Sequence, residues 1–330
     1  MAVLLILVGW LHLATLLLTT LFGFFALQIF NVRRLKWVAL SIYFTVVLTV
    51  GFGLFHFSKR ACVELPKIID TTIPAVVEYA ERQNLELPFT DYASLKTLAL
   101  SEAKDKIVNV GRYAGKVGVE LALVIIGLVV AAGIFLNGGF VVEGDPHARQ
   151  SGLYAQTSRE LARRFQNLYM SFKIVMGAQI VISAINTALT WLFIVANGFP
   201  YVTVILVLTF LCGLLPIIGN IMSNILIVGV GFTLSPKMAL LALVFLVAIH
   251  KLEYFLNSTI IGHRIKNPMW LTLISLVIGE KLMGIPGMIL APVVFHYVKV
   301  EVAGFHAAVA TPASSPPEVE TTKDAVASKP

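Results

Sequence analysis

The sequence predicts an all-α protein that crosses a lipid bilayer several times, and three observations carry that prediction. Of the 330 residues 58% are hydrophobic and 13% charged, where an ordinary soluble domain has about 45–50% and about 25%. The mean hydropathy is +0.86, because the apolar residues come in blocks of bilayer length rather than in narrow stripes. The lysines and arginines behind the net charge of +7 gather in short segments between those blocks. Basic loops held on the cytoplasmic side have that distribution, so the basic balance points to a multi-pass protein of the inner, or plasma, membrane and not to nucleic acid.

The first 31 residues carry no Asp, Glu, Lys or Arg. They exceed the roughly twenty residues of one crossing and form either one long tilted helix or a hairpin bent near His12. The block lacks a basic leader and is too long for a signal core, so it is expected to be retained as an anchor. Arg33, Arg34 and Lys36 then mark a cytoplasmic loop, and a second span ends the N-terminal membrane segments, residues 1–57. Residues 58–118 balance acids and bases. Ile69, Ile73, Val76, Val77, Ile107 and Val110 recur at helical spacing, with a break at Leu87-Pro88. This amphipathic extracytoplasmic layer must cover its apolar face with itself, the membrane surface or a second copy of the chain, and the last of these would make a homo-oligomer.

Residues 119–136 form a third span, and 137–173 a basic cytoplasmic linker carrying Arg149, Arg159, Arg163, Arg164 and Lys173. Residues 174–302 make the C-terminal membrane core, and 303–330, rich in Ser and Pro near their start, a disordered cytoplasmic tail. Trp37, Trp191 and Trp270 fall near span ends, where indoles anchor at the interface.

Within the core, Gln179, Ser183, Asn186, Thr187 and Thr190 recur in steps that place them on one helical face. Such a face either lines a polar path or glues helices together in lipid. Two later blocks are broken or re-entrant, at Pro216, Gly219 and Asn220 and at Gly284, Pro286 and Gly287. Lipid cannot satisfy the backbone groups freed at such breaks, so they face protein or a wet cavity. If residues 202–234 dip in and return as a hairpin, the loop at Arg264 joins the other basic loops in the cytoplasm; a single crossing puts it outside.

Between Glu160 and Glu301 the only carboxylates are Glu253 and Glu280. Glu253 shares a helical face with His250 and Asn257, where it either binds a cation or proton or pairs with Lys251, Arg264 or Lys266. Glu280 adjoins Lys281 at an expected hairpin tip. Cys62 and Cys212 form no CxxC, and the seven histidines show no HExxH spacing. With no Walker loop and no GxSxG elbow either, no catalytic residue, metal or cofactor is expected.

The run Leu214-Leu215-Pro216-Ile217-Ile218-Gly219, then Leu252-Glu253 leading to Ile261-Gly262-His263-Arg264 and Pro268, then Leu276-Val277-Ile278-Gly279 through Gly284-Ile285-Pro286-Gly287 to Leu290-Ala291-Pro292, resembles the autoinducer-2 exporter family of PerM-like bacterial permeases. The resemblance covers residues 169–302 in detail and the first half in outline. It implies a multi-pass helical transporter exporting small signalling or metabolite molecules, with some members linked to sodium/proton exchange. On their own the two broken segments either flank a substrate pathway, as discontinuous helices do, or merely permit close packing and bends. The similar glutamate position in the family points to Glu253 as the coupling or gating group. The rival reading is a non-transporting scaffold that binds partners through its amphipathic layer.

A single cysteine placed beside Arg264 is expected to resist a membrane-impermeant maleimide in intact cells, and one between residues 58 and 118 to react. Labelling beside Arg264 would put that loop outside and remove the hairpin from residues 202–234.

Overall fold

Apolar blocks free of clustered proline and glycine become long helices, and the chain turns where those residues gather. The computed structural model describes residues 2–31, 35–83, 110–139, 153–215, 218–261 and 269–310. They form α1 (Ala2–Trp10), α2 (Ala14–Phe30), α3 (Lys36–Arg82), α4 (Val110–Leu136), α5 (Leu153–Ala196), α6 (Val202–Gly213), α7 (Ile218–Leu234), α8 (Pro236–Ile261) and α9 (Met269–Ala310), with no strand among the described residues. Helices α3, α4, α5, α8 and α9 are long and apolar enough to cross a membrane, and α6 and α7 are shorter apolar helices. The break at Leu87-Pro88, the loops at Arg33 and Arg264, Pro216 and the tail from residue 311 lie outside the described residues.

The N-terminal block is a bent pair. Helices α1 and α2 meet at 116°, with His12 in the left-handed region at φ 54°. At 9 residues α1 is about 14 Å long, half the thickness of a bilayer's hydrocarbon core. It lies instead against α9, where Gly9 approaches the Met283 side chain.

Two hydrophobic cores stack along the molecule. In the first, α2 packs on α4 and on the opening turns of α3, and the early half of α5 and the end of α9 close around them. Small residues let the backbones approach: a Cβ on Gly127 would collide with Thr19, and one on Gly23 with Ala131 and the Tyr43 hydroxyl. The Thr20 hydroxyl donates to the Gly127 carbonyl at 3.3 Å, and Lys36 Nζ donates to the Leu136 carbonyl at 3.0 Å, capping α4. The second core joins Ile68 of α3, Ile194 of α5, Val204 and Ile205 of α6, Ile227 and Val230 of α7, and Ala242 and Leu246 of α8.

Helices α3 and α5 run through both cores. Their 47 and 44 residues span about 70 and 66 Å, twice a bilayer core. Helix α3 continues past the compositional change at Ser58 and through Pro66 and Pro74. Its far half lies along α7, where Thr72 meets Gly229 and the Tyr79 and Phe232 rings stand 5.5 Å apart.

Both broken segments are hairpins. Helices α6 and α7 pack side by side, with Val204 and Ile205 beside Ile227 and Val230 at their open end. A Cβ on Gly219 would collide with the Cys212 carbonyl at the tip. Helix α9 leaves helical geometry at Gly284 (φ 63°, ψ −147°), a conformation that favours glycine. Beyond it the chain returns on itself, with the Gly279 and Gly287 backbones in direct contact. The returning arm is pinned to α5 by Asn167, whose Nδ2 donates to Glu301 at 2.8 Å, and by Arg164, 3.7 Å from the same carboxylate. Gly284 lies seventeen residues before Glu301, so equal rise brings it level with about residues 181–184 of α5. The two hairpins thus open toward opposite ends of the molecule, with their tips near the middle of α5.

A Cβ built on Gly229 lies 4.0 Å from the Thr72 Cβ, inside the 3.5–4.5 Å range typical of disulfides. With Cys62 and Cys212 changed to serine, Thr72→Cys with Gly229→Cys is expected to cross-link on mild oxidation. The test is a reductant-sensitive mobility shift after cleavage of the chain between α3 and α7; its absence would detach the far half of α3 from the hairpin.

Candidate functional site

The site grows from the polar face of α5. The carbonyls that end a helix have no partner within it, and in lipid another helix must supply donors. Gln179 Nε2 donates to the Gly213 carbonyl at 2.5 Å and Ser183 Oγ to the Phe210 carbonyl at 2.7 Å, both at the C-terminal end of α6. A side chain on Gly213 would occupy the place of the Ser183 hydroxyl. The first half of the face therefore fastens the tip of the α6–α7 hairpin.

One turn further on, the face meets a carboxylate. Glu253 of α8 is 9% exposed, and its Oε2 accepts from Asn220 Nδ2 at 2.7 Å and from Asn186 Nδ2 at 3.4 Å. Asn220 stands on the first turn of α7, so this contact ties the hairpin to α5 and α8 together. A charge at the centre of a membrane helix costs about 2.5–3.5 kcal/mol, and amide donors offset part of that cost without adding a counter-charge.

Beside the carboxylate a small cavity is lined by the polar Asn186, Thr190, Thr209, Asn220, Ser223 and Asn224 and by the apolar Ile227, Leu246 and Ile249, with His250 on its exposed side. Asn186 and Thr209 are each 7% exposed. Asn186 Oδ1 and Thr209 Oγ1 are buried and accept no hydrogen bond from the described residues. The Thr187 hydroxyl on α5 is likewise buried without such a partner. Ser223 Oγ donates to the Asn220 carbonyl at 3.1 Å, which steadies the first turn of α7.

The other sequence-derived candidates stand apart from this cavity. Lys251 is exposed, and the side chain of Asn257 lies outside the described residues, as do Arg264 and Lys266. Glu280 is half exposed and 3.7 Å from Lys281, an arrangement that contributes little in solvent. Gly284 is exposed, Pro286 half-buried and Gly287 buried against Gly279. Sequence reasoning missed Thr209, Ser223 and Asn224. The second and third follow Asn220 at steps of three and four on α7, a spacing that would have found them; Thr209 is a lone hydroxyl in an apolar run and gives no such signal.

The sequence profile of a family described as AI-2E family transporter matches residues 1–304. Among curated proteins the chain is 28% identical over 130 residues to "Putative transport protein YdbI" of Bacillus subtilis (strain 168), covering 39% of this chain and 37% of that protein. It is 31% identical over 156 residues to "Putative transport protein YueF" of the same organism, covering 47% and 42%. The chain thus matches less than half the length of either relative.

Asn220→Ala is expected to lower stability in detergent by about 1–3 kcal/mol, because it strips a donor from a buried carboxylate. Asn220→Ala and Glu253→Leu together should cost less than their sum, by about 0.5–3 kcal/mol. Thermal unfolding of the two single variants and the double variant measures this, and strict additivity would mean that the 2.7 Å contact carries no energy.

Proposed function

The chain belongs to the AI-2E family of transporters, and from that premise we propose that it is a permease of the inner membrane whose pathway passes the tip of the α6–α7 hairpin. It moves a small molecule or ion, and a sodium or proton gradient drives it. The observation that carries this reading is the buried Glu253 carboxylate, held by Asn186 and Asn220 where α5, α7 and α8 meet. An ionisable group inside a membrane core is expensive to keep, and discontinuous helices meeting near mid-membrane supply the movable polar groups that alternating access needs.

In this reading Asn220 travels with the hairpin, while Asn186 and Glu253 stay with the long helices. Neutralising Glu253, by a proton or a bound cation, removes the charge that attracts the Asn220 amide and lets the tip move. The α9 hairpin, with Gly284, Pro286 and Gly287, forms the opposing half of the gate. The topology that goes with it puts the loops at Arg33 and Arg264 and the tail in the cytoplasm. The α6–α7 hairpin then enters from the outer face and α9 from the inner one.

Glu253→Gln keeps the shape and removes the charge. In proteoliposomes holding a pH-sensitive dye, an imposed sodium gradient is expected to move protons through the wild type and not through Glu253→Gln at equal incorporation. A wild-type response in the variant would return Glu253 to a structural role.

A further inference from the structure

We infer that the cavity is a binding site for a monovalent metal cation, with Asn186 Oδ1 and Thr209 Oγ1 as oxygen ligands and the Glu253 carboxylate, held beside it by Asn186 and Asn220, as the counter-charge. The inference deepens the permease reading, since it assigns the ion and its ligands to the same cavity.

Buried acceptors are the starting point. A buried carbonyl or hydroxyl oxygen without a partner costs about 1–3 kcal/mol, and two such atoms, Asn186 Oδ1 and Thr209 Oγ1, sit on the walls of one cavity. Asn186 and Asn220 turn their NH2 groups to Glu253, which leaves the Asn186 carbonyl oxygen to face elsewhere. Among the described residues that line the cavity none is lysine or arginine. Two free acceptors thus face a cavity whose nearest carboxylate, Glu253, is bound by two of the lining residues, an arrangement that suits a cation better than an anion.

Charge and ligand type narrow the choice. Divalent cations take six to eight oxygens with several carboxylates among them, or keep much of their water. Among the described residues no group of three or more His, Cys, Asp or Glu stands together. A divalent ion beside Glu253 alone would keep an uncompensated charge in a low-dielectric interior. A monovalent ion is neutralised by the one carboxylate, and the amide and hydroxyl oxygens replace its water. Its ligands come from α5 and α6, and Asn220 of α7 holds the carboxylate beside them, so occupancy draws the hairpin onto the long helices.

The test reads binding, not transport. Purified full-length protein in detergent is unfolded thermally in rising sodium chloride or potassium chloride, with choline chloride keeping ionic strength constant. A ligand that binds only the folded state raises the midpoint in proportion to the logarithm of its concentration above saturation. One of the two metal ions is expected to raise the midpoint over choline, with that logarithmic rise setting in above its dissociation constant. Thr209→Val and Asn186→Ala should weaken the apparent affinity about tenfold or more, and Glu253→Gln should abolish the shift. Equal midpoints in sodium, potassium and choline overturn the site, as does a wild-type shift in both Thr209→Val and Glu253→Gln. A larger shift from calcium chloride than from either monovalent salt, at matched ionic strength, overturns the charge assignment. Binding without any flux in proteoliposomes would remove the permease reading and leave the site. Flux without binding would do the reverse.

Discussion

Two amide groups hold one carboxylate where three helices meet, and the C-terminal half of the structure is arranged around that contact. Glu253 cannot sit in an apolar interior alone, so Asn186 and Asn220 must reach it. Asn220 reaches it from the first turn of α7, at the tip where α7 turns back along α6. The break frees carbonyls at the end of α6, and Gln179 and Ser183 on the same face of α5 take them up. One buried charge thus accounts for the hairpin, the polar face that receives it and the absent side chain at Gly213.

The polar layer lies between two apolar cores that share little besides α3 and α5. This order follows from lipid as solvent. Packing in a bilayer gains no hydrophobic energy from contact between helices, so small residues and interhelical hydrogen bonds do the joining. Helices α2 and α4 close on Gly23, Gly127 and Ala131. The arms of α9 close on Gly279 and Gly287, where backbone meets backbone. Both hairpins are held by absent side chains at their tips, and so both bring main-chain groups to the level of the middle of α5.

The fold class was legible because bilayer length and charge segregation are written directly into composition. The two breaks were legible for a similar reason: proline and glycine act on the backbone wherever they stand. The neighbours of Glu253 were not. Helical spacing points to His250 and Asn257, on its own helix, while the amides that reach Oε2 come from α5 and α7, a relation that periodicity along one segment does not encode. The polar face of α5 shows the same limit. Gln179 and Ser183 bind a helix end and Asn186 and Thr190 line a cavity, yet in sequence they form one stripe, and only what lies opposite divides them. Helix α3 departs from its compositional border at Ser58 because a proline removes one backbone bond, and a helix packed along α7 tolerates that.

The length of α3 makes the bilayer a mechanical participant. A single rod is anchored by Ala39 and Tyr43 in one core and by Ile68 in the other, and it exceeds the membrane thickness about twofold. Only its apolar first part, residues 37–57, matches one crossing, and a change in the local hydrocarbon thickness is answered there by tilting, which the long charged part beyond amplifies. Tilt of this rod about the first core would swing Thr72 and Tyr79, and with them the outer limb of the hairpin. Lipid chain length and lateral pressure would then act on the tip as a load acts on a lever.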